Sequence, residues 1–231
     1  MRRIFLACLL MVSIVSCKEE SAPEVDNEVR EPTLTYLALG DSYTIGESVE
    51  PEERWPVQLT ERLRTDGIAV QDPKIIATTG WTTQDLLRAI DSQLKDEKYD
   101  LVSVSIGVNN QYQGKSIDEY REDLYEVFKR AITYSKQGVS GVFAVSIPDY
   151  GVTPFGAQNA EEIARELDEF NKVFEEVASE FGVDFYNITP ISREAANQPD
   201  LIADDQLHPS GKMYRLWVEH FYAEVKQKIT Q

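Results

Sequence analysis

The stretch Tyr36-Leu37-Ala38-Leu39-Gly40-Asp41-Ser42-Tyr43-Thr44 decides how the rest of the chain is read. Four apolar residues run straight into a glycine, and polar residues follow at once. A short, unbroken apolar run bounded by Gly reads as a strand buried on both faces. Working outward, four more runs share this form. Ile75-Ile76-Ala77 leads to Gly80, Leu101 to Ile106 ends at Gly107, and Val142 to Ile147 ends at Pro148. Val183 to Tyr186 is a weaker fifth.

Helical periodicity separates the runs. Trp55, Leu59 and Leu63 recur every four residues before Gly67. Leu86, Leu87, Ile90 and Leu94 follow Thr82 and Asp85, spaced as a capping pair. Ser116 and Glu119 form a second such pair ahead of Tyr120, Leu124, Val127, Phe128 and Ile132, with Gly138 as the stop. Ile163, Leu167, Phe170, Phe174, Val177 and Phe181 make one stripe ended by Gly182. The last helix carries Tyr214, Leu216, Trp217, Phe221 and Val225. Five strand–helix units in series predict an α/β fold. It is a three-layer α/β/α sandwich around a doubly wound, mostly parallel five-stranded sheet. Ligands of such sheets bind outside the carboxyl ends of the strands, so chemistry is sought there.

Composition narrows the partners. The chain has 231 residues, 42% hydrophobic and 27% charged, close to the average soluble domain. That excludes a disordered chain, a collagen and a polytopic membrane protein. Lys and Arg number 23 against 40 Asp and Glu, a formal charge of −17, which repels phosphate backbones and argues against a nucleic-acid partner. Two cysteines are too few for a disulfide framework. There are two histidines, His208 and His220.

The first residues read as an address. Arg2 and Arg3 precede an apolar run from Ile4 to Val15, too short to span a bilayer comfortably. The run ends in Ile14-Val15-Ser16-Cys17, which resembles the lipobox of bacterial lipoproteins. The resemblance implies cleavage after residue 16 and lipidation of Cys17. Loss of Arg2 and Arg3 would leave a still more acidic chain. Residues 17–32 then read as the lipidated Cys and a flexible acidic tether, and 33–231 as one domain. Lys18-Glu19-Glu20 is similar to tags that carry some lipoproteins to the outer face of the outer membrane. The expected location is the bacterial cell envelope, with the membrane touched only through the anchor.

Four segments follow the strands or precede the last helix. They are Gly40-Asp41-Ser42-Tyr43-Thr44, Thr79-Gly80-Trp81-Thr82-Thr83, Gly107-Val108-Asn109-Asn110 and Asp204-Asp205-Gln206-Leu207-His208-Pro209. Read as chemistry they supply a hydroxyl, an imidazole, a carboxylate and amide donors. A serine hydroxyl needs a base to become a nucleophile. Imidazole is the side chain best suited to take the hydroxyl proton, and His208 is the candidate base. Asp205, three residues before it, can hold the imidazole tautomer. The Ser42 and Gly80 amides and the Asn109 side chain are candidate oxyanion donors. His220, inside a helix, reads as structural or surface. Asp204 reads as a turn residue. A metal site at Asp204, Asp205 and His208 is the competing reading, but zinc wants three or four ligands and only one usable His is present. The Gly40–Gly46 segment lacks the Lys and spacing of a phosphate-binding loop. Tyr112 and Tyr150 read equally as cleft residues or as half-buried aromatics.

Together the four blocks resemble the SGNH/GDSL hydrolases, over about 170 residues from Leu39 to His208. Tyr43 stands where many members have Leu. Asn110 stands where the third block usually has Asp, a change expected to alter hydrogen bonding under the site. Arg54-Trp55-Pro56 is similar to the thioesterase/arylesterase/lysophospholipase-like branch. The resemblance implies a flavodoxin-like fold with Ser42 as nucleophile, His208 as base and Asp205 as orienter. It places Ser42, Gly80 and Asn109 in the oxyanion hole, with no cofactor and no metal. It implies a serine esterase cleaving short-chain acyl or acetyl esters of glycans or lipids. The alternatives are an envelope acyltransferase acting between glycans, a lysophospholipase or thioesterase, or a binding lipoprotein with a vestigial site.

Overall fold

Residues 33–230 are described by the computed structural model; the expected leader, Cys17 and the tether to residue 32 lie outside the described residues. The five apolar runs pair into one sheet. The strands are β1 (Tyr36–Gly40), β2 (Lys74–Ala77), β3 (Leu101–Ser105), β4 (Val142–Val145) and β5 (Asp184–Tyr186). Their order is β2-β1-β3-β4-β5, and every pairing is parallel. Buried faces explain why β1, β3 and β4 carry no exposed residue.

Right-handed crossovers then distribute the helices. Helix α2 (Trp55–Thr65) and the last helix, Gly211–Thr230, cover one face. Helices α3 (Thr83–Gln93), α5 (Ile117–Tyr134) and α6 (Ala160–Phe181) cover the other. Four-residue turns of helix α1 (Ser42–Ile45), with α4 (Val108–Tyr112) and α7 (Thr189–Arg193) of five, sit in the loops; the Gly211–Thr230 helix is α8. Trp55 and Phe221 meet edge to face at 5.9 Å beneath β4 Phe143. All three are buried, and truncating such an aromatic costs about 3–5 kcal/mol.

The ends of elements depart from their sequence readings where other bonds compete. β4 stops before Ile147 because the Asn171 side chain of α6 takes over its backbone. Ile147 N–H donates to Asn171 Oδ1 (2.7 Å), and Asn171 Nδ2 donates to the Ile147 carbonyl (2.9 Å). α5 ends at Tyr134 and not at Gly138. Ser135 turns extended and bridges Tyr99 in parallel, and Lys136 N–H donates to the Tyr99 carbonyl at 2.8 Å. Gly138 instead opens a 3-10 turn. The Thr82–Asp85 capping box is present in both directions. Only half of the second pair forms: Glu119 N–H donates to Ser116 Oγ, while the Glu119 carboxylate goes to Lys115 and Gln84.

The sheet order creates a switch point between β1 and β3. From β1 the chain moves one way to β2, then returns past β1 to β3. Crevices form there, at the strands' carboxyl ends. Ser42 follows β1 and Asn109 follows β3, so the two blocks flank that crevice.

Candidate active site

Two close approaches build the turn that carries Ser42. A Cβ on Gly40 would collide with Thr44 Oγ1 and the Ser105 carbonyl, so only glycine fits there. Asp41 caps α1, accepting the Tyr43 amide at 3.1 Å. Burial pushes the Asp41 carboxyl up to about 7, against the amides of Tyr43 and Gly107 that hydrogen-bond its charged form. Ser42 itself is buried but lines an open pocket of about 250 Å³.

His208 lines the same pocket. Its Nδ1 lies 2.5 Å from Asp205 Oδ2, and its backbone N–H donates to Asp205 Oδ1 at 2.9 Å. The Leu207 amide donates to the same Oδ1 (3.0 Å), and Ser48 Oγ donates to Oδ2 (2.7 Å). Partial burial pushes the Asp205 carboxyl up. The bonds from His208, Ser48 and the two amides outweigh it and hold the group down at about 2. Tyr43 packs its ring against the imidazole, centroids 5.4 Å apart and planes tilted by 59°, a second contact beside the one through Nδ1. Among the described residues no hydrogen bond joins Ser42 Oγ to His208. Such contacts commonly tighten only when substrate is bound.

Gly80 and Asn109 complete the wall. Gly80 takes φ +85°, a conformation that strains residues with a Cβ, and nothing crowds its Cα. Among the described residues neither the Ser42 nor the Gly80 amide donates to a protein group. Asn109 Nδ2 donates one hydrogen to the Trp81 carbonyl at 2.9 Å, which fixes the amide plane and leaves a second hydrogen. Asn110 points away from the pocket. Its Oδ1 accepts the Thr83 amide (3.0 Å), and its Nδ2 donates to Thr83 Oγ1 (2.8 Å). Thr83 Oγ1 in turn donates to Asp123 Oδ2 (2.6 Å).

All five residues singled out from sequence thus meet at one sheet edge: four line the pocket, and Asp205 stands behind the imidazole. His220 and Asp204 are exposed, and neither lines the pocket. Among the described residues no cluster of three metal-ligating side chains occurs. Tyr112 and Tyr150 both line the pocket; Tyr150 is buried and Tyr112 is open to solvent. Sequence reasoning missed Ser48 and Phe155. Ser48 reaches Asp205 across 157 positions, and no local pattern signals that. Phe155 lies between Pro154 and Gly156 in the loop after β4, where the carboxyl-end rule would have pointed.

A parallel α/β/α sheet with a hydroxyl, an imidazole–carboxylate pair and free amide donors at its switch point defines a hydrolase architecture. A sequence profile of the GDSL-like lipase/acylhydrolase family matches residues 38–216. The chain belongs to that family and is an SGNH/GDSL-type ester hydrolase. Solved structures agree in fold. TesA superposes with a TM-score of 0.66 at 18% identity, covering 84% of this chain and 99% of its own. The psychrotrophic esterase EstA from Pseudoalteromonas sp. gives 0.66 at 20%, covering 85% and 99%. A lipase/acylhydrolase from Enterococcus faecalis gives 0.66 at 21%, covering 85% and 97%. No curated protein matches by direct sequence search.

Proposed function

We propose that Ser42, His208 and Asp205 form the catalytic triad of a serine esterase that cleaves carboxylic esters through an acyl-enzyme. One observation carries the reading: the Asp205-bound imidazole and Ser42 open into the same pocket. Asp205, ionised at working pH, holds the proton on Nδ1 and leaves Nε2 free to accept. His208 Nε2 takes the Ser42 Oγ proton as Oγ attacks the ester carbonyl. The oxyanion is met by the Ser42 and Gly80 amides and by Asn109 Nδ2. Collapse breaks the C–O bond, and the alcohol leaves with the proton from His208. Water, deprotonated by the same imidazole, then releases the acid and restores Ser42.

Pocket size and lining support short acyl groups. The pocket is about 250 Å³, and Val108, Tyr112, Tyr150, Phe155 and Leu207 give it an apolar wall. Assays with nitrophenyl esters from acetate to long chains test the reading. Turnover should peak at short chains, and Ser42→Ala should remove it by at least about a thousandfold. Unchanged turnover in Ser42→Ala would sink the nucleophile assignment.

The sequence reading also supports an envelope location through a lipidated Cys17. Membrane fractionation of Cys17→Ser cells tests it: the protein should leave the membrane fraction.

A further inference from the structure

A second cavity adjoins the catalytic pocket. It measures about 410 Å³ and shares Tyr112, Tyr150 and Phe155 with that pocket. The three rings stand 6.2–6.3 Å apart and form a ridge between the two spaces. Tyr112 is 60% exposed and Phe155 53%, the two most exposed large apolar side chains among the described residues. Adjacent aromatics left in water beside a reactive hydroxyl mark a ligand surface more readily than a packing defect.

Beyond the ridge the lining changes character. Gln158, Asn159, Glu162 and Glu166 face the cavity, and no Lys or Arg lines it. A chain of bonds stiffens the floor. Tyr150 Oη donates to Gln111 Oε1 (3.0 Å), and Gln111 Nε2 donates to Glu166 Oε2 (2.7 Å). Amides and carboxylates offer both donors and acceptors, which suits a ligand carrying many hydroxyls. Aromatic faces suit the C–H face of a sugar ring. Glu166 lies 3.7 Å from Arg165 Nη2, whereas Glu162 has no ion-pair partner among the described residues, and its carboxylate repels a phosphate group.

Resting on Ser42 as the nucleophile, we propose that this second cavity receives the alcohol half of the substrate, and that this half is a neutral or cationic sugar unit. The acyl group enters the apolar pocket, the ester straddles the ridge, and the glycan lies along the amide- and carboxylate-lined side. The enzyme then removes short acyl groups from glycans and discriminates against phosphate-bearing esters.

The test compares three acetyl esters on the full chain: an O-acetylated xylo-oligosaccharide, nitrophenyl acetate and 1-acetylglycerol 3-phosphate. The expected kcat/KM on the oligosaccharide exceeds that on the phosphate ester at least about tenfold. Glu162 is exposed on α6 and lines only the second cavity, so Glu162→Lys leaves the core untouched. In that variant the ratio of phosphate ester to nitrophenyl acetate should rise at least about tenfold. In Gln158→Ala/Asn159→Ala the ratio of oligosaccharide to nitrophenyl acetate should fall by about the same factor, through KM. A parent that prefers the phosphate ester, or ratios unmoved in both variants, overturns the subsite. Nitrophenyl acetate turnover that survives Ser42→Ala overturns the serine reading instead, so the two failures are distinguishable.

Discussion

Ser48 illustrates how much one residue outside every motif can carry. Its φ is +65°, a left-handed conformation that costs a residue with a Cβ about 1–2 kcal/mol. From there its hydroxyl donates to Asp205 Oδ2, the oxygen that also meets His208 Nδ1. Removing the hydroxyl leaves that oxygen one donor short and the carboxylate freer to swing. Ser48→Ala and Ser48→Gly both delete the bond, but only glycine relieves the backbone. The two variants should therefore lose the same three- to tenfold in kcat at nearly constant KM. Glycine should be the more stable by about 1 kcal/mol. Steady-state kinetics beside urea unfolding check both, and activity tracking stability would reduce Ser48 to a structural part. Asp205→Asn should cost kcat about tenfold less than His208→Ala, because a misheld imidazole still accepts a proton. Ser42, His208 and Asp205 were legible because each sits inside a short block. Ser48 was not, because its partner lies in a distant loop and the strain that marks it is a property of φ, not of residue order.

At the level of elements, apolar runs and capping pairs located the strands and long helices, and tertiary bonds set where they stop. Ser135 leaves α5 early to bridge Tyr99, so Gly138, a plausible stop, was spared the task. α4 and α7 have five residues each and offer too few turns for any periodicity to show. The link from α4 to α3 in this chain departs from the family's usual pattern at Asn110. Where its family usually has Asp, Asn110 both accepts from the Thr83 amide and donates to the Thr83 hydroxyl. That hydroxyl is thereby free to donate to Asp123. With Asn110→Asp the single Thr83 hydroxyl hydrogen would be sought by two carboxylates, one of them buried. Stability should drop by about 1–3 kcal/mol. Asn110→Asp/Asp123→Asn should recover at least half of that. The amide placed at position 123 can donate to the Thr83 hydroxyl, which then serves the carboxylate placed at position 110. A double-mutant cycle on urea midpoints gives the coupling, and strict additivity would show that Asn110 and Asp123 do not communicate through Thr83.

For the whole molecule, the two carboxylates beside Ser42 and His208 pull stability in opposite directions along pH. Asp205 is held down at about 2, below the usual unfolded value near 3.9. The unfolded chain binds the extra proton between these values. The stabilisation is complete above about pH 4 and is lost as pH falls through 2. Its side chain is 29% exposed, so solvent screening trims the contribution to about 1–2 kcal/mol. Asp41 runs the other way. Burial raises it to about 7, so the folded chain binds the extra proton between about pH 4 and 7, and stability falls as pH climbs through that window. The formal charge of −17 adds self-repulsion in the same direction as carboxylates ionise. The native state should therefore be most resistant to urea near pH 4–5 and less so at pH 8. Asp41→Asn keeps a side-chain oxygen for the Tyr43 amide and removes the titration, so its midpoint should vary less between pH 5 and 8 than the parent's. Asp205→Asn should flatten the acid limb between pH 4 and 2 and leave the neutral limb alone. Urea midpoints across pH 2–8 for the three proteins decide the matter. A parent whose stability rises from pH 5 to 8 would mean that Asp41 stays ionised on its amide donors, with those bonds outweighing its burial.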